Sequence, residues 1–242
     1  MCTVSFVRAG SSVIITSNRD EHVQRENADA PAFQLLATKK IIFPKDARAG
    51  GSWFAVADTG VVSVLLNGAF KKHTPHPPYR KSRGLILLEI IEADRPVVFF
   101  NEMNLENIEP FTIVLYQPGL LHELRWDGIN KYERQLDADR NYIWSSATLY
   151  IDEIIRQREA QFEKFISLPA AVTAQEIYTF HASNNGDTEN GLIINRQTGM
   201  KTFSITQTVV NSDTVNFLHS DLLLQKRYTE ILPLNQTEYL FK

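Results

Sequence analysis

The chain opens with two runs dominated by β-branched and apolar residues, residues 3–7 (Thr-Val-Ser-Phe-Val) and 13–17 (Val-Ile-Ile-Thr-Ser), separated by Ala9-Gly10-Ser11-Ser12. Short β-branched runs around a Gly-containing turn read as a β-hairpin. A hairpin returns the chain beside its start, so the polar tetrad Asn18, Arg19, Asp20 and Glu21 is expected close to Cys2. Residues 22–31 carry no apolar period and read as a loop. Residues 33–43 read as a strand pair or one long strand, ended by Pro44. A turn-rich loop over 45–51 closes on Gly50-Gly51, which permit backbone shapes that a Cβ forbids. The clearest hairpin follows, with strands over 52–57 and 61–67 joined by Asp58-Thr59-Gly60.

The period then changes. Ser82 stands where an N-cap belongs, and Leu85, Leu88 and Ile91 recur at helical spacing as far as Ala93. Residues 97–107 are ambiguous and fit a short helix. Strands are predicted over 111–116, 120–126 and 131–136, with turns at Pro118-Gly119 and Asp127-Gly128, and another over 141–148. Residues 150–167 hold the strongest helical pattern: Ile151, Ile154, Ile155, Phe162, Phe165 and Ile166, with Arg and Glu between them and Pro169 just beyond. Thr173 caps a second helix to His181, and residues 183–189 form a loop. A meander over 192–194, 200–210 and 214–219 completes the pattern. Strands, two helical layers and strands again predict an α+β fold of sheets packed on one another and covered by helices.

Composition narrows the function classes. Lys and Arg number 25 against 28 Asp and Glu, a net charge of −3. No basic stripe argues for nucleic acid or an anionic membrane surface. A hydrophobic content of 43% in 242 residues suffices for a sizeable core in one or two domains. The start lacks the charged and apolar regions of a signal peptide, and no apolar run approaches about 18 residues, so a soluble, cytoplasmic protein is expected. The exception to the even charge is the segment 71–83, with Lys71, Lys72, Arg80, Lys81 and Arg83 among Pro75, Pro77 and Pro78. It reads either as a solvated loop or as a mouth that attracts a carboxylate or phosphate. His73, His76, His122, His181 and His219 are scattered, with no H-E-x-x-H or C-x-x-C spacing, so neither a metal site nor a cofactor is expected.

Candidate chemistry concentrates at the start. Cys2 is the only cysteine, and loss of Met1 would make it the first residue. Its α-amine would then have a pKa of about 7.7–8.0 beside a thiol at about 8.5, so nucleophile and base would share one residue. A carboxylate such as Asp20 could hold that amine, which is the base-plus-orienter logic of a triad. A cysteine at position 2 also fits a buried small hydrophobe or a frayed terminus. Asn67, before Gly68, could face a reacting carbonyl or simply form an Asn-Gly turn.

Met1-Cys2 followed by Asn18-Arg19-Asp20-Glu21 resembles the NRDE family, also called the transport and Golgi organisation protein 2 family. Gly50-Gly51-Ser52-Trp53, Asp58-Thr59-Gly60, Leu65-Leu66-Asn67 and Ser82-Arg83-Gly84 extend the resemblance in order, and it is strongest in the first third of the chain. The opening is also similar to the bile-salt hydrolase and penicillin V acylase family of N-terminal nucleophile (Ntn) hydrolases. That resemblance implies a single domain over 1–242 with a four-layer αββα sandwich. It also implies a site with Cys2 as nucleophile, Asp20 as the holder of the amine and Asn67 as an oxyanion donor. Asn18 and Arg19 fall at the substrate-binding positions. Arg19 would anchor a substrate carboxylate or pair with Asp20, because Ser17 stands where those acylases carry an arginine. Ser146 stands where they carry a second oxyanion asparagine, and Lys201 near their late arginine. The resemblance implies an amidohydrolase acting on a small N-acyl substrate. The alternative is a carrier for haem or an acyl or lipid-type ligand in the same pocket, since the NRDE family is associated with both.

Overall fold

The computed structural model describes residues 2–167 and 172–235, the side chain of Cys2 excepted. The first strands are β1 (Cys2–Ala9), β2 (Ser12–His22), β3 (Asp29–Leu36), β4 (Lys39–Lys45), β5 (Phe54–Ala57) and β6 (Val62–Asn67). Helices α1 (Arg83–Glu92) and α2 (Pro96–Glu102) lead into β7 (Phe111–Gln117), β8 (Leu120–Trp126), β9 (Lys131–Leu136) and β10 (Tyr142–Ser145). Then come α3 (Asp152–Ile166), α4 (Ala174–His181), β11 (Met200–Val210), β12 (Thr214–Asp221) and β13 (Lys226–Pro233).

Two antiparallel sheets result. One has the order β10-β1-β2-β11-β12-β13, and the other runs β3 to β9 in sequence order. Around β2 both faces of its sheet are covered, which explains why β2 is buried from Val13 to Asp20 rather than on alternate residues. Between the sheets, Val4, Phe6 and Ile15 meet Phe54, Leu66 and Tyr116 in the main core, with the rings of Phe6 and Tyr116 5.7 Å apart. Val7 and Ile14, on the opposite face of the β1–β2 hairpin, pack under Phe162 of α3 and Ile177 of α4. Helices α1 and α2 cover the seven-stranded sheet. The layers are therefore helix, sheet, sheet and helix, as expected.

The local signals explain the helix ends. Ser82 accepts the N–H of Leu85, and Thr173 and Glu176 form a reciprocal capping box on α4. At the other end of α1 the buried Lys39 ammonium donates to the carbonyls of Ile91 (3.2 Å) and Ala93, a cation placed where the helix dipole favours one. Gly51 and Gly84 bring α1 onto the β5–β6 hairpin; a Cβ on Gly51 would lie 2.3 Å from the backbone carbon of Gly84.

Several expectations need correction. Residues 29–31 belong to β3 rather than to a loop, because Asp29 pairs with Lys45 across an irregular register. Of the two readings of 33–43 the strand pair holds, turning at Ala37 with φ 48°, while β4 runs through Pro44 to Lys45 rather than ending there. Residues 192–194 form no strand; their backbone serves side chains of the other layer, and only Asn195 makes a bridge, to Lys201. The strand expected over 141–148 is confined to β10. Strand β13 was not expected: its Lys226, Arg227 and Glu230 give an exposed edge without alternation. Pro169 lies outside the described residues.

Candidate active site

The hairpin β1–β2 sets the register of the site. Cys2 pairs with Arg19 and Thr3 with Asn18, so the backbone of Cys2 lies one position from that of Asp20. The Cys2 thiol and Met1 lie outside the described residues. Along β2 the side chains divide. Asn18 and Asp20 reach partners in the helical layer, whereas Arg19 reaches the seven-stranded sheet.

Asp20 is fully buried. Its Oδ2 accepts the Tyr150 hydroxyl at 2.8 Å and its Oδ1 the Thr202 hydroxyl at 2.7 Å. Burial raises the carboxyl above its ordinary range, against the lowering influence of Thr202, the Arg158 charge and Tyr150. Thr202 is in place because β11 carries an irregularity between Thr202 and Ser204, with Thr202 opposite Asp20 and Ser204 opposite Arg19. Phe203, the extra residue, lies 5.6 Å beneath the Arg19 guanidinium.

Arg158 completes this buried set. It projects from α3 with 2% exposure, stacks on the Tyr150 ring at 3.6 Å and donates to Thr3 Oγ1 at 2.5 Å. It also donates to the carbonyls of Asn190 and Gly191. Next to it Asn18 Nδ2 donates to the carbonyls of His181 and Leu192, both at 2.9 Å, while its Oδ1 meets His181 Nδ1. His181 Nε2 meets Ser5 Oγ at 2.8 Å. Burial, and then the Arg158 charge, lower the His181 pKa to about 3, so the ring is neutral. Asn18 is thus tied into the fold and faces away from any open space.

On the other face Arg19 is 3% exposed, donates to Asp46 Oδ2 at 2.8 Å and stacks on Trp53 at 4.2 Å. Arg25 binds the same carboxylate through Asp46 Oδ1 at 2.8 Å. Burial alone would raise Asp46, yet Arg25, the Ala49 N–H and the Arg19 charge hold it below the usual carboxylate range. These residues form one wall of a cleft of about 460 Å³. Asn67, at the end of β6, also lines it, as do Lys81 and Arg83 on either side of the Ser82 cap of α1. The Asn67 carbonyl is fixed by the Ser146 hydroxyl at 2.8 Å. Ser146 is itself fully buried, so its hydroxyl steadies the Asn67 backbone where an oxyanion donor was expected. Lys201 is half-buried and pairs with Glu21 across β2 and β11. The structure therefore brings Arg19 and Asn67 to one cleft, sets Asp20 and Asn18 beneath the sheet, and leaves Lys201 on β11 beside Glu21, outside the residues that line the cleft.

The sequence reading passed over Arg158, Tyr150, Thr202 and His181. Arg158 carried a usable signal: it falls between Ile154 and Phe162 at spacings of four, inside the apolar stripe of α3, where an arginine must find buried partners.

The model of the Transport and Golgi organisation 2 family matches residues 1–202. The chain belongs to that family. No curated protein matches it significantly in sequence. Among solved structures this family member resembles the Caenorhabditis elegans ortholog of N-acylethanolamine-hydrolyzing acid amidase, with a TM-score of 0.60 and 10% identity over 85% of this chain and 92% of the other. The C2A mutant of conjugated bile acid hydrolase from Clostridium perfringens aligns over 97% of both chains at 8% identity, with a TM-score of 0.55. Penicillin V acylase from Agrobacterium tumefaciens aligns over 95% of this chain and 85% of its own at 9% identity, with a TM-score of 0.54. At such identities the likeness establishes a shared fold, that of the Ntn hydrolases. Among the described residues no helix is long and apolar enough to cross a membrane, and no group of three His, Cys, Asp or Glu could hold a metal ion.

Proposed function

We propose that the chain, once Met1 is removed, is an N-terminal-cysteine amidohydrolase cleaving the C–N bond of a small N-acyl substrate. The observation that carries this reading is the register of β1 on β2. The backbone of Cys2 lies opposite Arg19 at the cleft and beside Asp20, whose carboxylate Tyr150 and Thr202 already hold from below. A protein that shares this fold was solved with its own second-position cysteine replaced, as its C2A mutant.

In this mechanism the Cys2 thiol adds to the amide carbonyl while its proton passes to the α-amine, which Asp20 orients. The Asn67 amide and a backbone N–H stabilise the oxyanion. Collapse breaks the C–N bond, the departing amine takes the proton, and a thioester remains. Water then attacks the thioester with the α-amine as base, which releases the carboxylic acid and restores the thiol.

The carrier alternative gains no support from the cleft. Its charged walls suit neither a porphyrin nor an acyl chain, both of which favour apolar linings. The deciding experiment compares trimmed wild type, Cys2→Ala and a version with an untrimmable tail before Cys2, each assayed by mass spectrometry against N-acyl amides. Turnover by the trimmed wild type alone is expected. No turnover of any amide by trimmed protein removes the proposal, and titration with haem, using Cys2→Ala as control, then tests the carrier.

A further inference from the structure

Arg158 brings a full charge into the apolar stripe of α3. Its hydrogen bonds go to neutral groups, Thr3 Oγ1 and the carbonyls of Asn190 and Gly191. Burying a charge is costly, and packing alone would be served by an apolar side chain. The Arg158 charge is felt by Asp187 at the exposed surface and by Asp20, which is fully buried.

The Tyr150 ring lies between Arg158 and Asp20. The guanidinium stacks on it at 3.6 Å, and its hydroxyl donates to Asp20 Oδ2 at 2.8 Å. A cation over a phenol ring polarises it and strengthens its O–H as a donor. Burial, and then the Asp20 charge, raise the Tyr150 phenol, so the hydroxyl keeps its proton. The other charged and titratable groups around Asp20 are few. The amino terminus adds a positive charge, and Arg196 lies 5.2 Å from the same ring. His181 of α4 is neutral beside Asn18, while Arg19 and Glu21 belong to the cleft face of β2.

We propose that Tyr150 and, through it, Arg158 are positioning residues that hold Asp20 as the carboxylate that makes the amino-terminal cysteine reactive. This rests on the amidohydrolase reading for the use of that cysteine, but its effect can be read on the thiol without turnover. An ionised Asp20 favours the ammonium form of the Cys2 amine, and a neighbouring ammonium favours the thiolate. The contact of Arg158 with Thr3 Oγ1 also fixes the residue that follows the nucleophile. Without the Tyr150 hydroxyl or the Arg158 charge, burial weighs more heavily and Asp20 keeps its proton to higher pH.

Cys2 is the only cysteine, so alkylation by iodoacetamide, followed by mass spectrometry, reports its thiolate alone. Rates would be measured from about pH 5 to 9 on trimmed wild type, Tyr150→Phe, Arg158→Gln and Arg158→Lys, each checked by circular dichroism. Tyr150→Phe is expected to move the rising limb up by about one pH unit, or about tenfold slower alkylation on that limb. Arg158→Gln should match it, and Arg158→Lys, which keeps the charge, should fall between. If Arg158→Gln does not fold, Tyr150→Phe and Arg158→Lys decide. In an Asp20→Asn background Tyr150→Phe should change nothing further. A limb unmoved in Tyr150→Phe, an equal shift in the Asp20→Asn background, or a thiol unreactive throughout the range would overturn the proposal. Turnover separates it from the reading it rests on. A shifted limb without turnover of any amide keeps the positioning role and removes the hydrolase. Amide turnover with the same pH profile in wild type and Tyr150→Phe keeps the hydrolase and removes the role.

Discussion

His181 offers the sharpest test of the buried network, because protonation alone perturbs it. The ring is fully buried, faces Asn18 and Ser5, and has its pKa lowered to about 3 by burial and then by Arg158. His219, 3% exposed against Thr206, is lowered to about 4, again chiefly by burial. For a histidine with a lowered folded pKa, the unfolded chain binds the proton first. Stability is therefore complete above about pH 6.5 and is lost as pH falls toward the folded values. At pH 5 the unfolded ring is almost fully charged and the folded one almost neutral, so each histidine is expected to cost about 2 kcal/mol relative to pH 8. Asp20, whose carboxyl burial raises, contributes in the opposite sense, because a raised folded pKa adds stability as pH falls. Urea unfolding of wild type and His181→Gln between pH 8 and 5 isolates the first contribution. The variant should lose stability less steeply, by up to about 1.4 kcal/mol per pH unit below pH 6.5. The His181 ring followed by NMR should stay neutral to pH 5. A ring that titrates near 6.5, or parallel pH profiles for the two proteins, would show that His181 does not carry this loss of stability.

Arg158→Ala should lower unfolding stability by about 3–5 kcal/mol in urea titrations, because the carbonyls of Asn190 and Gly191 lose a charged donor and Tyr150 loses its stacked partner. Gly51→Ala should cost about 1–3 kcal/mol, read as a fall in the unfolding midpoint, because its methyl group meets the α1 backbone. Should amide turnover be found, Asn67→Ala is expected to lower kcat by roughly 100–1000-fold while leaving KM nearly unchanged, as for loss of one oxyanion donor.

What could be read from the sequence was mainly local chemistry. The β5–β6 hairpin, the Ser82 cap on α1 and the Thr173 capping box depend on residues within a few positions of one another, and those signals carried. Strand β13 could not be read in this way. It exists because it pairs with β12, while its own residues are mostly exposed and charged. The division of Asn18, Arg19 and Asp20 between two faces was implicit in strand alternation. Which face meets the cleft depended on the second sheet, more than twenty residues away in sequence. Ser146 shows the limit of carrying a role across by position: its hydroxyl turns to the Asn67 carbonyl, a contact that no spacing suggests. His181 looked like one of several scattered histidines until α4 folded over β2 and put it against Asn18.

The alternation along β2 divides the strand into two registers that can be edited separately. Libraries at Arg19 and Glu21 would vary the wall of the cleft, while Asn18 and Asp20 stay beneath the sheet. The irregularity at Phe203 keeps the registers of β2 and β11 matched at this point, with Thr202 on Asp20 and Phe203 under Arg19. Phe203 is the extra residue, so deleting it would close the irregularity, keep Thr202 opposite Asp20 and Ser204 opposite Arg19, and remove only the ring beneath Arg19. In this segment the chain should thus tolerate the loss of that one residue without losing its register, at the cost of the aromatic support beneath Arg19.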